Sequence, residues 1–316
     1  MNAAGAATRE GGWPLVSVLV PAYNHERFVR RCLDSVLEDP YPTKEIVVID
    51  DGSSDATGER IAEWVDRHGH ELAVTYRRRE NRGIAATLNE MVRLARGEFL
   101  RLGASDDYLL PGGLDAQVRY LRAHPAKAAV IGDAVVVDRH DRLLYESSMR
   151  DLYRVDKRRY RSDQGIRRAV ISHWAVSGAV TLIRRDAFQT RAGWNEALRI
   201  EDWDFFLRLV ARDALGFVDM RVCAYRLHGA NLSKTRDVAA RIANLEESRQ
   251  VALRHAGSFR EPCATLLRAQ SHYIAAKVAY LRRRPLAVAS HLLARAWLAA
   301  LARTRRPPGA LLAEKA

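Results

Sequence analysis

The sequence has few cysteines and no long charge-free apolar segment. Its 316 residues include three cysteines, Cys32, Cys223 and Cys263, in neither a CxxC pair nor a zinc-binding spacing. This arrangement argues against a disulfide scaffold or a structural zinc site and fits a reducing, cytosolic setting. The longest uncharged stretch, Ala169–Ile183, has 15 residues, fewer than the roughly 20 apolar residues of a membrane span. We therefore expect no transmembrane helix.

Several binding motifs are also missing. The first apolar run is followed by Pro-Ala-Tyr-Asn instead of the GxGxxG of dinucleotide-dependent dehydrogenases, and no GxxxxGK[ST] loop of P-loop enzymes occurs. No zinc-finger or RRM signature indicates a nucleic-acid partner. Residues 1–12 lack the basic start and apolar core of a signal peptide. We expect them to form a flexible N-terminus.

The positive charge is concentrated near the end of the sequence. The formal net charge is +13, and residues 241–316 hold 14 Lys or Arg against 4 Asp or Glu. Such an excess indicates anionic partners, such as a phosphorylated substrate or an anionic lipid, and carries no information about the fold.

Buried-strand and amphipathic-helix patterns alternate through the first hundred residues. The predicted strands are Leu15–Val20, Glu45–Asp50, Leu72–Tyr76 and Glu98–Leu102, and the helices between them are Glu26–Leu37, Asp55–His68 and Ile84–Ala95. This alternation predicts a parallel α/β sheet. Further on, the pattern indicates one or two strands in Ala128–Val137, another in Trp174–Ile183 and a helix over Glu201–Ala211. We place a domain at 13–235 and a basic helical region at 236–316.

Polar clusters follow three of these strands. Ala22-Tyr23-Asn24 comes after the first strand, Asp51 to Asp55 after the second, and Ser105-Asp106-Asp107 after the fourth. Open α/β sheets bind ligands at the carboxyl ends of their strands, so these clusters should converge on one crevice.

The acidic clusters allow two interpretations each. Asp106 and Asp107 fit a Mg²⁺ or Mn²⁺ ion that bridges two phosphates, or a capped turn before a helix at Gly113. Asp50 and Asp51 fit an Asx turn that leads into the next helix, or a carboxylate that contacts a nucleotide base. The residue types alone leave both questions open.

Taken together, the motifs resemble a known family. Pro-Ala-Tyr-Asn at 21–24, Asp-Asp-Gly-Ser-Ser-Asp at 50–55, the segment from Asn81 to Asn89, and Ser-Asp-Asp after Gly97–Leu102 occur in one order. In this respect the chain resembles the inverting glycosyltransferases of family 2, from about Val16 to Ser233. The resemblance implies a GT-A fold, a mixed and mostly parallel sheet with flanking helices, here with a C-terminal helical extension.

The resemblance also implies roles for individual residues. It implies nucleotide-sugar binding by Pro21, Ala22, Tyr23, Asn24, Asp51, Asn81, Arg82, Gly83 and Asp106. It makes Asp107 the direct metal ligand, with His228 near the metal or the diphosphate. Asp202 matches the catalytic base, and Ser177, Gly178, Glu201 and Trp203 match the acceptor side. Ser105 departs from the pattern because it supplies no third carboxylate.

The expected reaction moves a sugar from a nucleotide-diphospho-sugar, with a UDP-sugar favoured, to a hydroxyl of a glycan or lipid-linked acceptor. Mn²⁺ or Mg²⁺ would serve as cofactor, in cell-surface polysaccharide or glycolipid synthesis. Two alternatives remain open. A sugar-nucleotide-forming nucleotidyltransferase would carry a Gly-rich, Arg-containing loop after the first strand, and none is seen. A non-catalytic nucleotide-sugar-binding module would not need Asp106, Asp107 and Asp202.

The C-terminal region also allows two interpretations. Arg282-Arg283-Arg284 precedes an amphipathic helix predicted at Leu286–Ala302, and Arg303, Arg305 and Arg306 follow it. A basic helix with an apolar face can lie on an anionic membrane, which fits a cytoplasmic protein held peripherally at the inner face. The alternative is a helical lid packed on the catalytic domain with its basic face in solvent.

Overall fold

The protein is described by a computed structural model, which covers residues 12–173, 178–188, 193–199, 201–228 and 237–305. Nine strands form one mixed sheet in the order β3-β2-β1-β4-β8-β6-β9-β5, with β7 paired to β6. The strands are β1 (Val16–Ala22), β2 (Lys44–Asp50), β3 (Ala73–Arg78), β4 (Phe99–Leu102), β5 (Tyr108–Leu109), β6 (Ala129–Asp138), β7 (Leu143–Tyr145), β8 (Thr181–Arg184) and β9 (Leu215–Leu227). The expected N-terminal segment 1–12 lies almost entirely outside the described residues.

Helices cover both faces of the sheet and continue beyond it. They are α1 (Val29–Glu38), α2 (Thr57–His68), α3 (Ile84–Leu94), α4 (Gly113–Ala123), α5 (Asp163–Ser172), α6 (Glu201–Val210), α7 (Val238–Ala256), α8 (Cys263–Leu281) and α9 (Pro285–Thr304). Short helical turns occupy Ser148–Leu152, Lys157–Arg161, Gly178–Val180 and Arg185–Phe188.

The parallel part of the sheet confirms the alternation predicted from the sequence. β1 pairs in parallel with both β2 and β4, and β2 pairs in parallel with β3. Along β1, side chains alternate between two cores. Val16, Val18 and Val20 pack with α1 and α2, whereas Leu19 packs on the opposite face. Burial on both faces explains why these strands are apolar throughout.

The second half of the sheet is less well predicted. The expected strand over Trp174–Ile183 is confirmed only from Thr181, because Gly178–Val180 forms a helical turn, and 174–177 lie outside the described residues. The 13-residue strand β9, which was not predicted, runs parallel to β6 and antiparallel to β5.

The C-terminal helices divide into a packed pair and an exposed one. Val251 of α7 and Leu267 and Ile274 of α8 belong to the main hydrophobic core, as the lid interpretation expects. By contrast, α9 is largely exposed, and Ala302 is its one buried residue. By length and composition α9 could cross a membrane, so the expectation of no transmembrane helix stays a prediction. A search for charge-free runs missed α9 because Arg295 interrupts it.

The packing of α6 yields a stability prediction. Phe206 is fully buried in the core, and its replacement by alanine should lower the free energy of unfolding by about 3–5 kcal/mol. Leu253→Ala on α7, where the side chain is 40% exposed, should change it by less than about 0.5 kcal/mol. Urea denaturation of both variants measures this, and equal losses would contradict the placement of α6.

Candidate active site

The loops after β1 and β2 are joined into one rim. The backbone N–H of Asn24 donates to Ser53 Oγ (3.0 Å), and the N–H of Ser54 donates to Asn24 Oδ1 (2.8 Å). Asn24 has a φ of 53°, a left-handed conformation that asparagine tolerates better than most residues. The strand-end loops predicted to converge therefore contact each other directly.

Asp51 organises the third loop of the rim. Its Oδ1 accepts from the N–H of Arg82 (2.9 Å) and its Oδ2 from the N–H of Gly83 (3.0 Å), while the guanidinium of Arg79 pairs with Oδ1. Gly83 has a φ of 85°, which a side chain would strain. The carboxylate thus holds the Asn81-Arg82-Gly83 segment beside the end of β2.

The other residues near the rim are either buried in the structure or exposed to solvent. Asp50 is fully buried and accepts from the N–H of Ser53, three residues on (2.9 Å), so its side chain holds the turn that follows β2. Pro21 and Ala22 belong to β1, and the Ala22 carbonyl accepts from the N–H of Asp51 (2.9 Å). Tyr23 is 46% exposed, so its ring is free to contact a ligand.

Two histidines flank Asp106 at the end of β4. Asp106 Oδ2 lies 3.0 Å from His228 Nε2 and 3.9 Å from His25 Nε2. Potential ligand atoms of these three residues lie within 4.8 Å of one another. Two ligands of one ion, each about 2.1 Å away, sit at most about 4.2 Å apart. A contraction of less than about 1 Å would let the His25–Asp106–His228 cluster hold a divalent cation.

Ser105 orients one of these histidines. His25 Nδ1 lies 2.8 Å from Ser105 Oγ. In the tautomer that donates from Nδ1, the lone pair of Nε2 faces Asp106, and such support of the other ring nitrogen is typical of metal-binding histidines. Sequence reasoning missed His25, although it directly follows the Pro-Ala-Tyr-Asn motif.

The two adjacent aspartates have opposite environments. Asp107 is 4% exposed, and its Oδ1 accepts from the N–H of Arg226 (2.8 Å). Burial and the neighbouring charge of Asp106 raise the pKa of Asp107 well above its usual range. Burial also disfavours ionised Asp106, but its hydrogen bond with His228 and the charges of the two histidines lower its pKa overall.

These environments revise the expected metal ligand. We expected Asp107 to bind the ion directly, yet the histidines gather around Asp106, and Asp107 is turned toward the backbone of β9. Both residues lie in the turn between β4 and β5, and their side chains have different partners. One of the pair faces the crevice and the other fixes the strand.

Asp202 lies in the first turn of α6, opposite the helical turn that begins at Gly178. Burial raises the pKa of Asp202 to about 6, although a hydrogen bond from the N–H of Gly178 acts in the other direction. A Cβ at Gly178 would sit 3.3 Å from both carboxylate oxygens. A carboxylate with a pKa near 6 is suited to accept a proton at neutral pH.

The other residues expected on the acceptor side are Trp203, Glu201 and Ser177. Trp203 is 6% exposed and donates its indole N–H to Val170 O of α5 (2.8 Å), so it packs α6 against α5. Glu201 is also 6% exposed, and burial together with the charge of Asp202 raises its pKa well above the usual range. Ser177 lies outside the described residues.

Solved structures share this architecture. A mannosyltransferase from Pyrobaculum calidifontis, in complex with GDP-Man and Mn²⁺, superimposes with a TM-score of 0.62 at 24% identity, covering 96% of this chain and 81% of that one. S. aureus TarS 1–349 in complex with UDP-GlcNAc gives a TM-score of 0.60 at 18% identity, covering 84% and 81%. At these identities the likeness shows the GT-A fold alone.

Proteins similar in sequence include a chondroitin synthase and an uncharacterized glycosyltransferase. The Escherichia coli chondroitin synthase is 28% identical over 222 residues, 70% of this chain but 30% of that protein. An uncharacterized glycosyltransferase of Rickettsia typhi is 25% identical over 224 residues, 70% of this chain and 67% of that one. The family model described as glycosyl transferase family 2 matches residues 17–191, which is more than half of the chain. The chain belongs to glycosyl transferase family 2.

Proposed function

We propose that this protein transfers a sugar, with inversion, from a nucleotide-diphospho-sugar to a hydroxyl of a glycan or lipid-linked acceptor. A UDP-sugar is the favoured donor. The observation that carries the proposal is the His25–Asp106–His228 cluster beside the carboxyl ends of the parallel strands. Two structural relatives contain UDP-GlcNAc or GDP-Man, which supports a donor of this chemical class.

The donor set of the cluster fits a divalent cation. Asp106 Oδ2 and one ring nitrogen of each histidine would hold it. Nitrogen ligands suit Mn²⁺ better than Mg²⁺, which prefers oxygen, and Mn²⁺ is present in the mannosyltransferase relative. When bound, the ion would neutralise the charge that develops on the departing nucleoside diphosphate.

The rim supplies the nucleotide side of the site. Among the residues that the structure describes, Gly83 is the one hydrogen-bond donor to Asp51 Oδ2. A carboxylate oxygen can accept from a second donor, such as a base N–H. The exposed ring of Tyr23 would stack on the base or ribose, and Asn24 and Arg82 would border the nucleotide. In this arrangement Asp51 both shapes the pocket and contacts the ligand.

Asp202 would act as the only base. In a single inverting displacement one carboxylate takes the proton of the acceptor hydroxyl, at about 2.6–3.2 Å, while the donor's anomeric carbon is attacked from the opposite side to the leaving group. The N–H of Gly178 holds the carboxylate in place. We place this reaction in cell-surface polysaccharide or glycolipid synthesis, at the cytoplasmic side of the membrane.

Replacing the base should separate chemistry from binding. Asp202→Asn keeps the size of the side chain but cannot accept the proton, so kcat should fall by about 10²–10⁴-fold. The dissociation constant of UDP, measured by calorimetry, should stay within about twofold of the wild-type value. Asp186→Asn, an exposed aspartate after β8, is the matched control and should keep full activity. Wild-type turnover by Asp202→Asn would remove Asp202 from the mechanism.

The pH profile should report the same carboxylate. A base must be deprotonated, and burial raises the pKa of Asp202 to about 6. The value of kcat/KM should therefore be constant above about pH 7, reach half its maximum near pH 6 and fall about tenfold per pH unit below about pH 5. Steady-state kinetics over this range, in buffers of constant ionic strength, provides the measurement. A profile that stays flat well below pH 5 would contradict the assignment.

Metal titration should distinguish the two adjacent aspartates. Asp106→Asn and His228→Ala should each weaken Mn²⁺-dependent UDP binding by at least about tenfold, because each removes a ligand. Ser105→Ala should weaken it less, through the lost support of His25. Asp107→Asn should leave the Mn²⁺ stoichiometry unchanged, since its carboxylate faces Arg226. Calorimetry with and without Mn²⁺ tests this, and loss of Mn²⁺ binding only in Asp107→Asn would restore Asp107 as the ligand.

A further inference from the structure

α9 presents an apolar strip to solvent. Leu286, Leu293 and Trp297 are 87%, 72% and 66% exposed, and they recur at helical spacing on one face. The outer stripe of α9 consists of exposed Leu286, Ala289, Ser290, Leu293, Ala296, Trp297 and Ala300, of which Ser290 alone is polar. A surface helix normally turns its polar side outward. This helix does the reverse, and exposed apolar strips of this kind mark contact sites.

Two polar side chains in the middle of α9, His291 and Arg295, point toward α8 instead. His291 Nδ1 lies 3.2 Å from His272 Nδ1, and the guanidinium of Arg295 lies 4.0 Å from the ring centre of Tyr273. The charge in the middle of α9 is therefore held against the protein. The outer stripe contains no charged residue between its two ends.

Positive charge frames the stripe at both ends. Residues 263–305 contain eight Lys or Arg and no Asp or Glu. Arg282 pairs with Glu246, and Arg305 with Glu261. Within the part of the chain that the structure describes, Arg283, Arg284 and Arg303 have no carboxylate within 4.0 Å. An apolar strip with cationic ends is complementary to an anionic lipid surface, in which phosphates lie above hydrocarbon.

We propose that α9 lies in the interface of an anionic phospholipid membrane. Its outer stripe enters the acyl-chain boundary, and Arg283, Arg284 and Arg303 meet lipid phosphates. The helix lies flat and does not span, because its inner side packs on α8 and a spanning orientation would place Arg295 in hydrocarbon. This surface is independent of the donor site, and it would hold the enzyme next to a lipid-linked acceptor.

Vesicle flotation of the full chain tests the proposal. The protein should bind vesicles of mixed phosphatidylglycerol and phosphatidylcholine, and bind vesicles of phosphatidylcholine alone much more weakly. Rising salt should weaken the binding because it screens the arginines. Equal binding to both kinds of vesicle, or none to either, would overturn the proposal.

Two pairs of substitutions separate the contributions of the apolar stripe and of the arginines to membrane binding. Leu293→Glu with Trp297→Glu should lower the partition coefficient by at least about tenfold per side chain. The control is Leu253→Glu on α7, which adds the same charge at another exposed leucine. Arg283→Glu with Arg284→Glu should lower the partition coefficient by about fivefold or more per residue. The control for this pair is Arg122→Glu, at an exposed arginine of α4. Losses in the controls as large as in the test variants would contradict the assigned surface.

Two further outcomes would identify another occupant or geometry. Light scattering of the lipid-free protein that shows a dimer, which becomes a monomer in Leu293→Glu, would assign the stripe to a second copy of the chain. Resistance of membrane-bound protein to carbonate extraction would indicate a spanning helix. UDP affinity should be unchanged in every one of these variants, so failure of the membrane proposal and failure of the donor site are told apart.

Discussion

The turn that carries Asp106 and Asp107 depends on Arg226 of β9. This arginine is 1% exposed, and a buried charge is tolerated only when it is paired and hydrogen-bonded. Its Nε donates to Asp106 O (2.7 Å), another guanidinium nitrogen pairs with Asp141 (2.7 Å), and its backbone N–H donates to Asp107. Because β9 is fixed in this way, His228, two residues on, comes to lie against the carboxylate of Asp106. One buried arginine thus couples the parallel half of the sheet to the strand that brings the second histidine.

This coupling explains why two neighbouring aspartates differ. Two carboxylates this close disfavour each other's ionisation, so their titrations are linked. The buried one, Asp107, accepts from backbone and has a raised pKa, whereas Asp106 keeps a lowered pKa beside the two histidines. The environment therefore favours ionisation of Asp106, the aspartate beside the histidines, over ionisation of Asp107. A site that lacks an acidic residue at position 105 compensates with His25, whose ring is oriented by the hydroxyl of Ser105.

Local patterns predicted the donor half of the molecule well. Strands β1 to β4 and the helices between them follow from apolar periodicity, and the convergence of Asn24, Asp51 and Asp106 follows from the rule for parallel strand ends. The errors arose where distant segments meet. The position of Trp203 depends on α5 and that of Asp107 on β9. The ring of His25 meets Ser105, Asp106 and His228, which are 80 or more positions away. The exposure of α9 depends on which of its faces packs on α8. Sequence spacing within one element does not contain this information.

The two candidate site carboxylates, Asp106 and Asp202, have pKa values shifted in opposite directions by the elements that hold them. Asp106 is stabilised as an anion by the histidines, which suits a cation ligand, while burial of Asp202 against the Gly178 turn raises its pKa toward neutrality, which suits a base. The Gly178 turn is itself fixed from the parallel half, since fully buried Arg101 of β4 donates to the carbonyl of Ala179. A change in the packing of β4 would therefore reach both carboxylates, because Asp106 follows this strand directly and Asp202 is held by the turn that Arg101 supports. The donor side and the acceptor side of the site are coupled through one strand.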